Sequence, residues 1–193
     1  MGLKDKCLKI LSMKFYFLII LILIFNSNSI FAQEIKWMSM GEAQEAQKNI
    51  PKKIFMDVYT EWCGPCKLLD KNTFQNPDVS RYIIENYYAV KFNAEGIEQI
   101  KYYDQIFTNP NYDPNRKGRN ATHQFTQFLG VKGYPTMVFF SENGDPIMPL
   151  VGYHKPQQLE LFLKMIKQGD YQVFSKPEDF DNYRKTFRPK FRG

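Results

Sequence analysis

The chain reads as an α/β fold, a central mixed sheet of four to five strands flanked by helices, and three observations predict it. A β-α-β alternation runs through residues 54–93. Two apolar runs joined by Glu142-Asn143-Gly144-Asp145 must pair antiparallel. A Cys-x-x-Cys, Cys63-Gly64-Pro65-Cys66, stands where the first strand gives way to a helix.

Residues 34–50 form a lead-in with a short helix over 40–48, and Pro51-Lys52-Lys53 opens a strand over 54–59. Its unbroken run Ile-Phe-Met-Asp-Val-Tyr marks a buried strand. A helix over 63–72 follows, with Pro65 tolerated because first-turn N–H groups lack intrahelical partners. Asp78, after Asn76-Pro77, is the expected N-cap of a helix that turns Val79, Tyr82 and Ile83 inward. Residues 87–93 return as a strand. Helical patterns recur over 98–107 and 121–129, with Gly130 closing the second and an exposed loop between them. The antiparallel pair covers 136–141 and 146–152. Pro156 opens a helix whose Leu159, Phe162, Leu163 and Ile166 repeat at helical spacing, and Gly169 ends it. Residues 170–193, aromatic and basic, are assigned no element.

With 193 residues, 44% apolar and 16% aromatic, the chain can bury one proper core and is not a disordered protein. Four lysines precede the uncharged run 15–25, and Ala32 follows at a small-residue cleavage position, so residues 1–32 read as an export signal peptide. The alternative is an uncleaved anchor, although eleven apolar residues are short for a bilayer span. Cleavage would remove Cys7 and leave only Cys63 and Cys66. An exported domain with both thiols in one short motif uses them for chemistry rather than as a staple. The net charge of +6 is concentrated at the two ends, and residues 33–183 sum to about −2. Nucleic acid is therefore not an expected partner. Membrane contact is expected only through the N-terminal segment or the basic tail.

At a strand-to-helix junction the first sulfur lies over the unpaired N–H groups of the helix start, where the dipole favours thiolate over thiol. Cys63 is the expected nucleophile, and Cys66, one turn on, can close a small disulfide ring with it. Zinc is the chemical alternative, but a structural site needs four ligands, and no second Cys pair exists. His123 and His154 are isolated and read as surface or capping residues. No metal is expected.

Beyond the motif, Asp57 six residues before Cys63, Lys91 in Ala89-Val90-Lys91-Phe92-Asn93, Pro135 in Gly133-Tyr134-Pro135-Thr136, and Gly144 and Gly152 follow in an order that resembles the thioredoxin family. The likeness covers roughly residues 35–168. It implies a thioredoxin fold over 33–169, with an insertion at about 98–122 and a C-terminal extension over 170–193. It also implies that Cys63 attacks a client disulfide, that Asp57 exchanges a proton with Cys66, and that Lys91 moderates the Asp57 charge. Burial should raise the Asp57 pKa. Pro135 is expected to be cis, and Trp62, Gly64, Pro65, Tyr134 and Pro135 to line the substrate groove. Tyr134 departs from the family, which usually has an aliphatic residue there.

The resemblance implies a disulfide reductase without a cofactor, acting on disulfide-containing client proteins. The Gly64-Pro65 pair between the cysteines matches reducing members of the family. The expected form is an exported periplasmic monomer, which would need an inner-membrane thiol donor to recharge it. Two rivals stay open: an oxidase or isomerase, and a thioredoxin-fold module that binds partners without turnover.

Overall fold

The computed structural model describes residues 34–193. The expected signal peptide, its anchor alternative and Cys7 lie outside them. Among the described residues no helix is long and apolar enough to cross a membrane.

The lead-in helix α1 (Met40–Asn49) starts at Ser39, whose hydroxyl accepts the Glu42 N–H while the Glu42 carboxylate accepts the Ser39 N–H. Strand β1 (Ile54–Tyr59) leads into α2 (Gly64–Leu69), which a single π-turn, Asp70–Phe74, continues. Next come α3 (Pro77–Asn86) and β2 (Tyr88–Asn93). Asn76, not the expected Asp78, caps α3 by accepting the Asp78 and Val79 N–H groups. Pro77 supplies the reason: with φ fixed and no N–H it occupies the first helical position, which leaves the cap to the residue before it.

The helix expected over 98–107 is absent. A two-stranded hairpin, β3 (Ile100–Tyr102) and β4 (Gln105–Phe107), occupies that stretch, and Tyr103 turns it with a left-handed φ of 51°. The second expected helix shrinks to α4 (Gln124–Phe128), capped by His123, whose ring nitrogen accepts the Phe125 N–H at 3.0 Å. Strands β5 (Thr136–Phe140) and β6 (Pro146–Val151) form the antiparallel pair, and α5 (Pro156–Gln168) ends at Gly169 with φ 82°.

The main sheet runs β2-β1-β5-β6, with β1 and β2 parallel and the other neighbours antiparallel. Alternation along β1 divides the core. Phe55 joins Phe74, Tyr87, Phe139, Leu163 and Ile166 on the face covered by α2, α3 and α5. Ile54, Met56 and Val58 meet Phe92, Tyr102, Phe125 and Phe140 on the face covered by α1, α4 and the hairpin.

Residues 170–193 are folded onto the domain. A 3-10 turn (Asp170–Val173) leads to α6 (Pro177–Thr186), and Phe174, Phe180, Tyr183, Phe187 and Phe191 pack against the Phe55 core. The buried Glu160 carboxylate on α5 pairs with Lys164 and accepts the backbone N–H groups of Lys190 and Phe191, both at 2.7 Å. Arg192 grips Asp78 through two guanidinium hydrogen bonds of 2.9 Å. Those bonds hold the Asp78 carboxyl down at about 2.

Candidate functional site

Cys63 is the N-cap of α2, and its Sγ accepts the Cys66 N–H at 3.1 Å. The sulfur thus occupies the place where orphan N–H groups and the helix dipole stabilise negative charge. Cys63 and Cys66 form a disulfide, with sulfurs 2.06 Å and Cα atoms 5.3 Å apart. Both residues are only 2% exposed, while Gly64 and Pro65 between them lie at the surface.

The strand register explains the charged pair. Asp57 and Lys91 stand opposite each other in the parallel β1–β2 ladder, so their side chains share a face. Lys91 Nζ lies 2.7 Å from Asp57 Oδ2, while Asp57 Oδ1 is buried without a protein partner. Asp57 is 1% exposed, and this desolvation pushes its carboxyl up to about 6, with the Lys91 charge offsetting only part of the effect.

Lys91 Nζ also bridges to the half-buried Asp70. Asp70 follows Cys66 by four residues, so both lie on one side of the helix. The ammonium sits over the rings of Trp37, Tyr59 and Phe74, 4.9 to 5.5 Å from their centroids. A cleft of about 560 Å³, lined by Trp37, Asp70, Phe74 and Lys91 among others, opens beside this network and connects it to solvent.

The Tyr134–Pro135 peptide is cis. The Tyr134 ring meets Trp62 edge to face at 5.9 Å, which sets the two aromatic groove candidates side by side next to Cys63. Neither the N–H nor the C=O of Tyr134 is hydrogen-bonded within the described residues. Trp62 is 36% exposed, and its indole N–H donates to Glu95 at 2.9 Å. The same Glu95 oxygen accepts the Asn120 N–H at 2.8 Å, and the Arg119 guanidinium lies 4.4 Å from the Trp62 ring centroid. The site residues read from the sequence therefore include two contacting pairs besides the disulfide, Asp57 with Lys91 and Trp62 with Tyr134.

Sequence reasoning missed Asp70, Glu95 and Arg119. Asp70 carried a usable signal, the helical spacing from Cys66, whereas Glu95 and Arg119 are brought in by loops. Among the described residues no cluster of three or more His, Cys, Asp or Glu side chains has the spacing to hold a metal ion.

Residues 40–167 match the family model described as a thioredoxin-like domain. The chain is 25% identical over 128 residues to the thiol:disulfide interchange protein DsbD of Pectobacterium atrosepticum, a match covering 65% of this chain and 18% of that one. It is 34% identical over 128 residues to thioredoxin-like protein 1 of Schizosaccharomyces pombe, covering 64% of this chain and 34% of that one. The chain thus spans about a fifth to a third of these relatives. A thioredoxin-fold protein from Helicobacter pylori superposes with a TM-score of 0.55 at 18% identity, over 75% of this chain and 93% of that one, a likeness of fold alone. By the family match over most of its described length and by its Cys-x-x-Cys disulfide, the chain belongs to the thioredoxin family of thiol-disulfide oxidoreductases.

Proposed function

We propose that this protein reduces disulfide bonds of client proteins outside the cytoplasm, after export directed by residues 1–32. The observation that carries the reading is Cys63 Sγ at the first turn of α2, accepting a backbone N–H where a thiolate is favoured. In the dithiol form the Cys63 thiolate attacks one client sulfur, and the other leaves as a thiolate that takes up a proton. Cys66 then gives its proton to Asp57 and attacks Cys63 Sγ. The second client sulfur leaves, two electrons have passed to the client, and the Cys63–Cys66 disulfide remains.

The unpartnered Oδ1 of Asp57 and a carboxyl poised at about 6 suit a group that takes and returns a proton near neutrality. Lys91 and Asp70 lead from it to the open cleft that they line. Tyr134, with its backbone N–H and C=O unpaired beside Trp62, suits an extended client segment that docks by strand addition. Gly64-Pro65 supports the reducing direction, because strongly oxidising relatives usually carry a His in that gap. A thiol donor at the inner membrane would regenerate the dithiol.

Equilibration with glutathione tests the direction. A potential near the value of about −270 mV found for thioredoxin is expected, and one near −120 mV would make the protein an oxidant. Cys66→Ser should leave clients trapped on Cys63 as mixed disulfides that a reductant releases. A Cys66→Ser protein that captures none in extracts of the exported compartment overturns the enzymatic reading.

A further inference from the structure

The insertion that sets this chain apart from a minimal thioredoxin is fastened to the redox site. Gln124 accepts the Thr108 N–H at 2.9 Å and returns its own N–H to the Thr108 carbonyl at 3.1 Å, which closes the base of the loop. The buried Asn109 amide donates to the carbonyls of Gly96 and Ala121, and Asn120 spans the loop to Asp113. This is an Ω-type loop, exposed over residues 110–119 but tied together by its own internal bonds. Its far end rests on Trp62. Glu95 holds both the Trp62 indole N–H and the Asn120 N–H, and Arg119 stacks on the indole face.

A guanidinium stacked on an aromatic ring keeps its N–H fork in the plane of the stack, turned outward and preset for a carboxylate. Arg119 is exposed, and no carboxylate of the described residues lies within 4.0 Å of Arg116, Lys117 or Arg119. The nearby acids are engaged elsewhere. Glu95 accepts two N–H groups, Glu61 accepts from the Tyr59 hydroxyl at 3.3 Å, and Asp113 accepts the Asn115 N–H. The same Trp62 side chain that Arg119 covers also meets Tyr134, whose backbone groups are open.

We propose that residues 116–119 form a cationic lip on the substrate groove, in which Arg119, positioned by Trp62 and Glu95, binds a carboxylate in the client segment within a few residues of its disulfide. The client class is thus an extended, acidic stretch of polypeptide bearing a cystine. This rests on the reductive reading of the same site. Coulomb attraction across an exposed pair is modest, and its main effect is on encounter and on the choice between partners.

The test uses the full chain in its dithiol form and three disulfide-looped peptides of one sequence, with Asp/Glu, Asn/Gln or Lys beside each cysteine. The expected result is a kcat/KM roughly three- to tenfold higher for the acidic than for the neutral peptide, carried by KM, with the basic peptide slowest. The preference should shrink in 0.5 M salt. Arg119→Glu should invert the order of the acidic and basic peptides, whereas Arg119→Lys, which keeps the charge but loses the planar fork, should retain part of it. Because each ratio is taken within one protein, a general loss of fold or activity cannot mimic the inversion. Equal rates for all three peptides, or the same order in Arg119→Glu, would overturn the lip while leaving the reductase reading intact. If the dithiol protein opens none of the peptides, the reductase reading falls and the lip with it.

Discussion

Replacing Asp57 by Asn should make the folded protein more stable above pH 6, and the size of the gain follows from its burial. A carboxyl held at about 6 against an ordinary 3.8 costs at most about 3 kcal/mol to ionise in the folded state. The folded state binds the proton more tightly than the unfolded chain does. Asp57 therefore lowers stability as pH rises from about 4 to 6, and the deficit stays constant above that. Asn, neutral throughout, removes the term, and Lys91 still has Asp70 to pair with. Urea unfolding of the disulfide form at pH 3.5, 5, 6 and 8 should show wild type and variant nearly equal at the lowest pH. Their separation should grow to as much as about 3 kcal/mol at pH 8, equivalent to roughly 6–12 °C in Tm for a domain of this size. The variant should at the same time resolve mixed disulfides slowly at neutral pH. A variant less stable than wild type at pH 8, or a difference that does not change with pH, would refute the account of Asp57 as a desolvated carboxyl.

Lys91→Ala should raise the Asp57 midpoint further, since it removes the nearest cation while the repelling charge of Asp70 remains. The pH profile of mixed-disulfide resolution should move to higher pH, and an unmoved or lowered midpoint would count against the pair. Ending the chain at Arg188 removes two N–H donors from the buried Glu160 and the Arg192 grip on Asp78. Urea unfolding should report a loss of about 2–4 kcal/mol. The Asp78 part of that contribution is present above pH 4 and fades as pH falls toward 2, because its folded-state pKa is depressed. A truncated chain as stable as wild type at neutral pH would mean that the tail packing is not needed.

The main sheet was legible wherever pattern and punctuation agreed. The 54–59 run, the Asn-Gly turn and the Pro156 and Gly169 boundaries each follow from a local rule that the packing does not overrule. The hairpin at 100–107 was not legible. Ile97, Ile100, Tyr103 and Phe107 recur at three- and four-residue intervals and mimic a helical face, and strands of three residues are too short to display alternation. What decides the outcome is tertiary. The hairpin buries Ile100, Tyr102 and Phe107 against Phe125 and Phe140, and the Tyr102 hydroxyl donates to the Gly144 carbonyl at 2.7 Å. The tail was unreadable for a related reason. Phe180, Tyr183, Phe187 and Phe191 recur at helical intervals, but Tyr171 and Phe174 are out of step with them, and the partner that orders the end of the tail is Glu160, a buried carboxylate thirty residues upstream.

The same division runs through the site. Cys63 and Cys66 could be named from the motif at a helix start, and Asp57 and Lys91 from the resemblance to the thioredoxin family; the strand register then sets that pair face to face. Asp70 joins Lys91 through its helical spacing from Cys66, so the group proposed to handle electrons and protons lies within a few turns of chain and one strand pair. Glu95 and Arg119 obey no such rule. Arg119 reaches Trp62 because the loop closed at Thr108 and Gln124 folds back on it, and Glu95 because it sits in the turn after β2, where its N–H donates to the Asn93 side-chain oxygen. On the proposed reading, residues 109–120 can change in sequence and alter client choice while the register that sets Asp57 against Lys91 stays untouched. If Arg119 selects clients, exchanging residues 109–120 for an uncharged loop should alter peptide preference with little effect on the glutathione equilibrium. A shift in that equilibrium as large as the shift in preference would show that the two halves of the site are not separable.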